Sequence, residues 1–155
     1  SETSTFLLNR FDYLFKRNQN SQSYFEPPLE LIDIDYYQNL MINDISINTI
    51  KQHHGVIDTL GFIINNTFAY CTDVVSFPKE SLEYLYNLNT IIITGLRSAP
   101  HTAHAHFDLT FKWIADLKPS IAYLTHLSPE SDHDTVTKLC PPGVHPAFDG
   151  LVINI

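Results

Sequence analysis

Gly61-Phe62-Ile63-Ile64-Asn65-Asn66-Thr67-Phe68-Ala69-Tyr70-Cys71-Thr72-Asp73 holds two short apolar runs separated by a polar link and closed by a carboxylate. Asn tolerates positive φ, so Asn65-Asn66-Thr67 predicts a tight connection and the flanking runs predict a hairpin. On the N-terminal side, Ile42 to Ile50 sets Ile45 and Ile47 against polar neighbours, the period of a half-buried strand. Farther out, Glu26-Pro27-Pro28 restricts the backbone before a strand candidate at Leu29 to Ile34. Arg17 to Ser23 is polar and reads as a loop. Thr5 to Lys16 spaces Phe6, Leu7, Leu8, Phe11, Leu14 and Phe15 as a helix does. On the C-terminal side, Pro78 and Glu80 open a helix to about Tyr86, with Leu82, Leu85 and Leu88 on one face. Thr90 to Thr94 is a continuous β-branched run, the signature of a buried strand. His106 to Leu117 reads as a helix stopped by Lys118-Pro119, and Ile121 to Leu124 as another buried strand. Asp134 to Leu139 gives a short helix ended by Pro141-Pro142-Gly143, and Val152 to Ile155 a closing strand. Strand-rich first and then alternating helix with strand, the order predicts one α/β unit over residues 1–155.

Composition narrows the function. With 155 residues, 44% hydrophobic and 17% charged, the chain has the apolar material for a core. Nine Lys+Arg stand against 17 Asp+Glu, a formal charge of -8, which disfavours general binding to nucleic acid or to an anionic membrane. Cys71 and Cys140 make no disulfide framework and lack zinc-ligand spacing; together with the absence of a membrane span or signal-peptide pattern they predict a cytoplasmic protein. Ser1 stands where an initiator Met would, which suggests a fragment, a processed product or a trimmed chain.

The histidines carry the chemistry. There are 8 His, and most fall where strands end. His53 and His54 lie in a predicted loop, Gln52-His53-His54-Gly55, Asp73 follows Phe68 to Cys71, and His101, His104 and His106 follow the Ile91 to Ile93 run. His126 follows Ala122-Tyr123-Leu124. Imidazoles and a carboxylate at several strand ends suit a cation site, because Asp oxygen and His nitrogen bind hard and borderline divalent ions and Asp can bridge two of them. Plainer readings stand beside this one. His53-His54 reads equally as a solvated pair, Asp73 as a turn or capping residue, and Pro100 to His106 as a polar loop. Ser131-Asp132-His133 reads as a helix N-terminus. No Gly-x-Ser-x-Gly elbow or phosphate loop is present in the sequence.

Taken in order, Gln52-His53-His54-Gly55 with Leu60-Gly61-Phe62, Ala69 to Val74, Pro100-His101-Thr102-Ala103-His104, Tyr123 to Ser128, and Pro146-Ala147-Phe148-Asp149-Gly150-Leu151 resemble the C-terminal portion of a metallo-β-lactamase-fold hydrolase. The likeness is to the phosphodiesterase branch, which includes the cyclic-phosphate phosphodiesterase of phosphonate breakdown, and Arg10 to Phe15 also resembles a segment of it. The resemblance implies an α/β fold, part of an αββα sandwich with a mixed sheet and flanking helices. It implies His54 as a ligand of one metal ion, Asp73 as the bridge between two, and His126 as a ligand of the second. His104 would lie by the scissile phosphate as general acid, a role suited to imidazole. Two divalent ions, Zn or Mn, are implied, with a small phosphate ester as substrate. Asp149-Gly150 would be structural.

The sequence also departs from that family. Leu127-Ser128-Pro129 stands where a second histidine often follows the last ligand. The superfamily's His-x-His-x-Asp-His motif does not occur in these 155 residues, so the chain is expected to be a partial domain without the N-terminal metal-motif half. Alone it should bind metal weakly or not at all and be inactive, and it should need that half, or a second copy of itself, as partner. The alternatives are a non-catalytic remnant kept for binding or oligomerisation, and a small binding domain whose histidines are incidental.

Overall fold

A computed structural model describes residues 2–16 and 26–154. The chain divides into two compact units, Ser1–Asp35 and Tyr36–Ile155.

In the first unit, helix α1 spans Glu2–Arg10 and a single 3-10 turn spans Asp12–Leu14. The helix expected over Thr5 to Lys16 therefore starts earlier and breaks at Phe11. Phe11 N–H still donates to Leu7 O, but Leu14 N–H donates to Phe11 O, a step that tightens the chain out of α geometry. The strand expected at Leu29 to Ile34 does not form. A strand needs a ladder partner, and this segment is held by other bonds: Leu29 N–H donates to Leu14 O, and the Ser4 hydroxyl donates to the Asp33 carboxylate. The loop read at Arg17 to Ser23 lies outside the described residues.

The second unit is one seven-stranded sheet with strands in chain order: β1 Asn39–Ile42, β2 Ile45–His54, β3 Ile57–Ile64, β4 Phe68–Cys71, β5 Thr90–Thr94, β6 Ile121–Thr125 and β7 Val144–Pro146. β1 to β4 pair antiparallel, and β4 to β7 run parallel. Helices α2 (Lys79–Glu83), α3 (Phe107–Leu117) and α4 (His133–Leu139) connect the parallel strands. Because the parallel strands advance in one direction across the sheet, right-handed crossovers put all three helices on one face. There Ile91, Ile93, Ala122 and Leu124 pack with Ile114, Leu117 and Val136 in the core. The helix α3 stripe of Phe107, Thr110, Ile114 and Leu117 is buried, and Lys118 closes the helix in the left-handed region, φ 55°, just before Pro119. Asp132 caps α4, accepting from Thr135 N–H at 2.9 Å and holding its own carboxyl below the usual range through bonds to Thr135. The opposite sheet face carries Phe62, Tyr70, Ile92, Tyr123 and His145 in one register row.

The hairpin turns at Asn65 and Asn66, φ 50° and 55°, with Phe62 opposite Tyr70. Elsewhere the antiparallel boundaries move. The single strand expected over Ile42 to Ile50 is two strands, because Asn43, φ 54°, and Asp44 form a two-residue turn between the paired Ile42 and Ile45. His53 and His54 are not loop residues. β2 runs through both, pairing them with Asp58 and Ile57, and the turn falls at Gly55-Val56. The closing strand expected at Val152 to Ile155 is absent over 152–154, which is irregular, and Ile155 lies outside the described residues. The last strand is β7, whose Val144, His145 and Pro146 pair with Ala122, Tyr123 and Leu124.

Candidate metal centre

Two antiparallel steps separate β2 from β4, so β2 points the same way as β4, β5 and β6. Their C-terminal ends therefore share one edge of the sheet, where α/β proteins place ligand sites. His54 ends β2, Asp73 follows β4, His104 lies between β5 and α3, and His126 follows β6. One ligand atom from each of His54, Asp73 and His104 lies within 4.8 Å of the others. His126 joins from the far side: its Nε2 is 3.7 Å from Asp73 Oδ1, and its ring stacks on His104 at 4.5 Å between centroids. The His54 ring meets His104 edge-on at 4.6 Å.

The backbone aims these groups. Asp73 and His126 both sit in the left-handed region, φ 55° and 63°, where side chains other than Gly carry a steric cost. Behind Asp73, Thr59 Oγ1 donates to Asp73 O at 2.8 Å, and Gln52 Nε2 donates to Thr72 O at 2.9 Å and to Thr59 Oγ1 at 3.2 Å. Gln52 is fully buried. It fits because Gly61 faces it: a Cβ there would stand 2.7 Å from Gln52 Oε1 and 2.9 Å from Ile50 Cγ1. Ala105 N–H donates to Val74 O at 2.7 Å, tying the loop that carries His104 to the segment after Asp73.

The donors suit a divalent cation. His54 Nδ1 lies 2.9 Å from Ala103 O. A carbonyl only accepts, so that nitrogen carries the proton and Nε2 keeps a free lone pair. His104 Nδ1 is buried without a hydrogen-bond partner, and Asp73 Oδ1, at 3.8 Å, is too far to supply one. Burial, then the neighbouring His126 and His54, lower the His104 pKa against the pull of Asp73, favouring its neutral form. The imidazoles of His54 and His126 with the Asp73 carboxylate are a donor set of the kind zinc and manganese take, and the half-buried His104 ring packs against both of those imidazoles.

The remaining histidines fall elsewhere. His53 pairs with Asp58 at 2.7 Å, and Lys51 Nζ meets the other oxygen at 2.7 Å; Lys51 first and then His53 hold the Asp58 carboxyl below its usual range. His106 is the N-cap position of α3, while His133 and His145 lie against Phe148 and Tyr123. His101 packs beside His104. Cys71 and Cys140 are free thiols pushed up by burial. Asp149 sits in an exposed turn where Leu151 N–H donates to Phe148 O. Sequence reading missed Gln52 and Thr59. The available signal for Gln52 was a polar residue at the same strand parity as the core residue Ile50.

The chain belongs to the β-lactamase superfamily: residues 2–127 match the family described as the Beta-lactamase superfamily domain. Its mixed sheet with flanking helices is the metallo-β-lactamase fold. Among solved structures it resembles a diphosphatase of the PhnP family, at 26% identity and TM-score 0.75 over 78% of this chain and 47% of that one. It also resembles the metallo-β-lactamase fold protein YhfI from Bacillus subtilis, at 18% identity and TM-score 0.70 over 82% and 56%. Zn(2+)-bound PqqB from Methylobacterium extorquens is similar at 12% identity and TM-score 0.63, over 79% and 55%. This chain thus spans about half of each of these proteins, 47%, 56% and 55% of their lengths. No curated protein matches it. The superfamily consists largely of metal-dependent hydrolases. Among the described residues, no helix is long and apolar enough to cross a membrane.

Proposed function

We propose that this chain supplies part of a phosphodiesterase-type active site that hydrolyses a small phosphate ester with two divalent metal ions, Zn or Mn. The supporting observation is the convergence of His54, Asp73 and His104 within 4.8 Å, with His126 3.7 Å from the same carboxylate. The likeness to a diphosphatase at 26% identity favours phosphate chemistry over the superfamily's other reactions. In this reading His54 and His126 would each help to hold one ion, and the Asp73 carboxylate would serve both. When bound, the ions supply Lewis acidity, acidifying water and neutralising phosphate oxygens. His104 stands beside the phosphate; an anion there favours the imidazolium, which can give its proton to the leaving oxygen.

One histidine per ion plus the bridge is fewer than the three or four protein ligands a tight site needs. The other ligands would come from a His-x-His-x-Asp-His segment outside these 155 residues, or from a second copy of the chain. That partner would cover the sheet face bearing Tyr70, which is 41% exposed.

The test is the intact mass and metal content of the gene product as its own cell makes it, with a bis-phosphodiester hydrolysis assay on the same sample. A species heavier than 17.7 kDa with about two metal ions per site and hydrolysis lost in Asp73→Asn is expected. A metal-free 17.7 kDa species that takes up neither zinc nor manganese would overturn the proposal.

A further inference from the structure

The loop carrying His104 is held by an imidazole. His101 Nδ1 lies 3.2 Å from the backbone N of Ala103 and 3.3 Å from the backbone N of His104. Both backbone groups can only donate, so Nδ1 is the unprotonated nitrogen, its one in-plane lone pair shared between two N–H groups, and the ring proton sits on Nε2. The next carbonyl faces the other way: Ala103 O receives the Nδ1–H of His54 at 2.9 Å. Ala103 also presses on the β2–β3 turn, where a Cβ on Gly55 would stand 3.2 Å from Ala103 Cβ. A single side chain thus fixes the backbone that carries one imidazole of the centre and sets the tautomer of another.

We infer that His101 is a positioning residue of the metal centre: a neutral Nε2–H imidazole whose Nδ1 grips the Ala103 and His104 amides, so that Ala103 O keeps His54 in the tautomer with Nε2 free for metal. The ligand role of His54 rests on the function proposed above; the two tautomers do not. The ring contact with His104, 5.1 Å between centroids, adds packing to the hydrogen bonds.

The test separates the two layers. Two-bond proton–nitrogen correlation spectra of the metal-free full chain should show His101 with an unprotonated Nδ1 and His54 with a protonated Nδ1. His101→Asn places a carbonyl oxygen where Nδ1 stands, and it should keep the His54 signature and a wild-type affinity for zinc alone. His101→Leu and His101→Gln lack an acceptor at that position. Both should leave His54 a tautomeric mixture and weaken zinc roughly 10–100-fold, the usual effect of losing an outer partner. A protonated His101 Nδ1 in the wild-type chain overturns the inference, and so does His101→Asn losing as much as His101→Leu. Should His101→Leu fail to fold, the wild-type spectrum still decides. Should the wild-type chain alone bind no zinc, as a centre that needs further ligands from a partner allows, the tautomer spectra of the wild type, His101→Asn and His101→Leu decide the inference.

Discussion

Strands β1 to β3 and strands β4 to β7 share one sheet and are built on opposite terms. The antiparallel part has the long strands, 10 residues in β2 and 8 in β3, joined by tight local turns, and much of its apolar surface faces outward: Ile42 is 55% exposed. The parallel part has strands of 3 to 5 residues, held by non-local crossovers, and it fills the core; Leu124 is fully buried. Stability is concentrated in the short strands and reach in the long ones. β2 carries His54 out to the edge where the parallel strands end, which a four-residue strand like β1 could not do. The candidate centre draws on both parts, one residue from the antiparallel reach and three from the parallel ends.

That contrast can be broken by mutation. Leu124→Ala, in the middle of the parallel core, should cost about 2–5 kcal/mol of unfolding free energy in a denaturant titration. Gly61→Ala tests the packing inside the antiparallel part: its Cβ would meet the Gln52 amide and Ile50, and overpacking of this kind costs about 1–3 kcal/mol. Thr59→Val removes the donor to Asp73 O and should cost about 1 kcal/mol. Its sharper readout is weakened zinc binding, restored by Thr59→Ser. Ile42→Ala, on the exposed outer strand, should stay within about 0.5 kcal/mol of wild type. If Ile42→Ala destabilised as much as Leu124→Ala, the division between reach and stability would be wrong.

Legibility in the sequence follows the same divide. Thr90 to Thr94 was readable to the residue because a strand buried on both faces is a continuous β-branched run. The Asn65-Asn66 hairpin was readable because few residues accept its backbone conformation. The antiparallel boundaries were not. Polar residues mark turns only on average, and β2 continues through His53-His54 because backbone pairing with β3 is indifferent to side-chain polarity. Leu29 to Ile34 failed in the other direction, as an apolar run whose backbone found other partners. β7 was missed because three residues around an exposed histidine carry no period. Asp73, His104 and His126 were legible as residues that follow strands, whereas His54 read as a loop residue and in fact ends β2. Gln52, Thr59 and the acceptor nitrogen of His101 were not legible, because their work depends on which backbone carbonyl or amide happens to face them.

Asp73 and His126 hold a backbone conformation that any replacement except Gly, and to a lesser degree Asn, would also find costly. A library of this chain selected only for resistance to heat should therefore drift toward Gly and Asn at residues 73 and 126. Asp73→Gly should be more stable than Asp73→Ala, although both lack the carboxylate. The fittest sequences by melting temperature would be those that had erased the centre, and a thermostabilisation campaign on this protein has to hold both positions fixed from its first round.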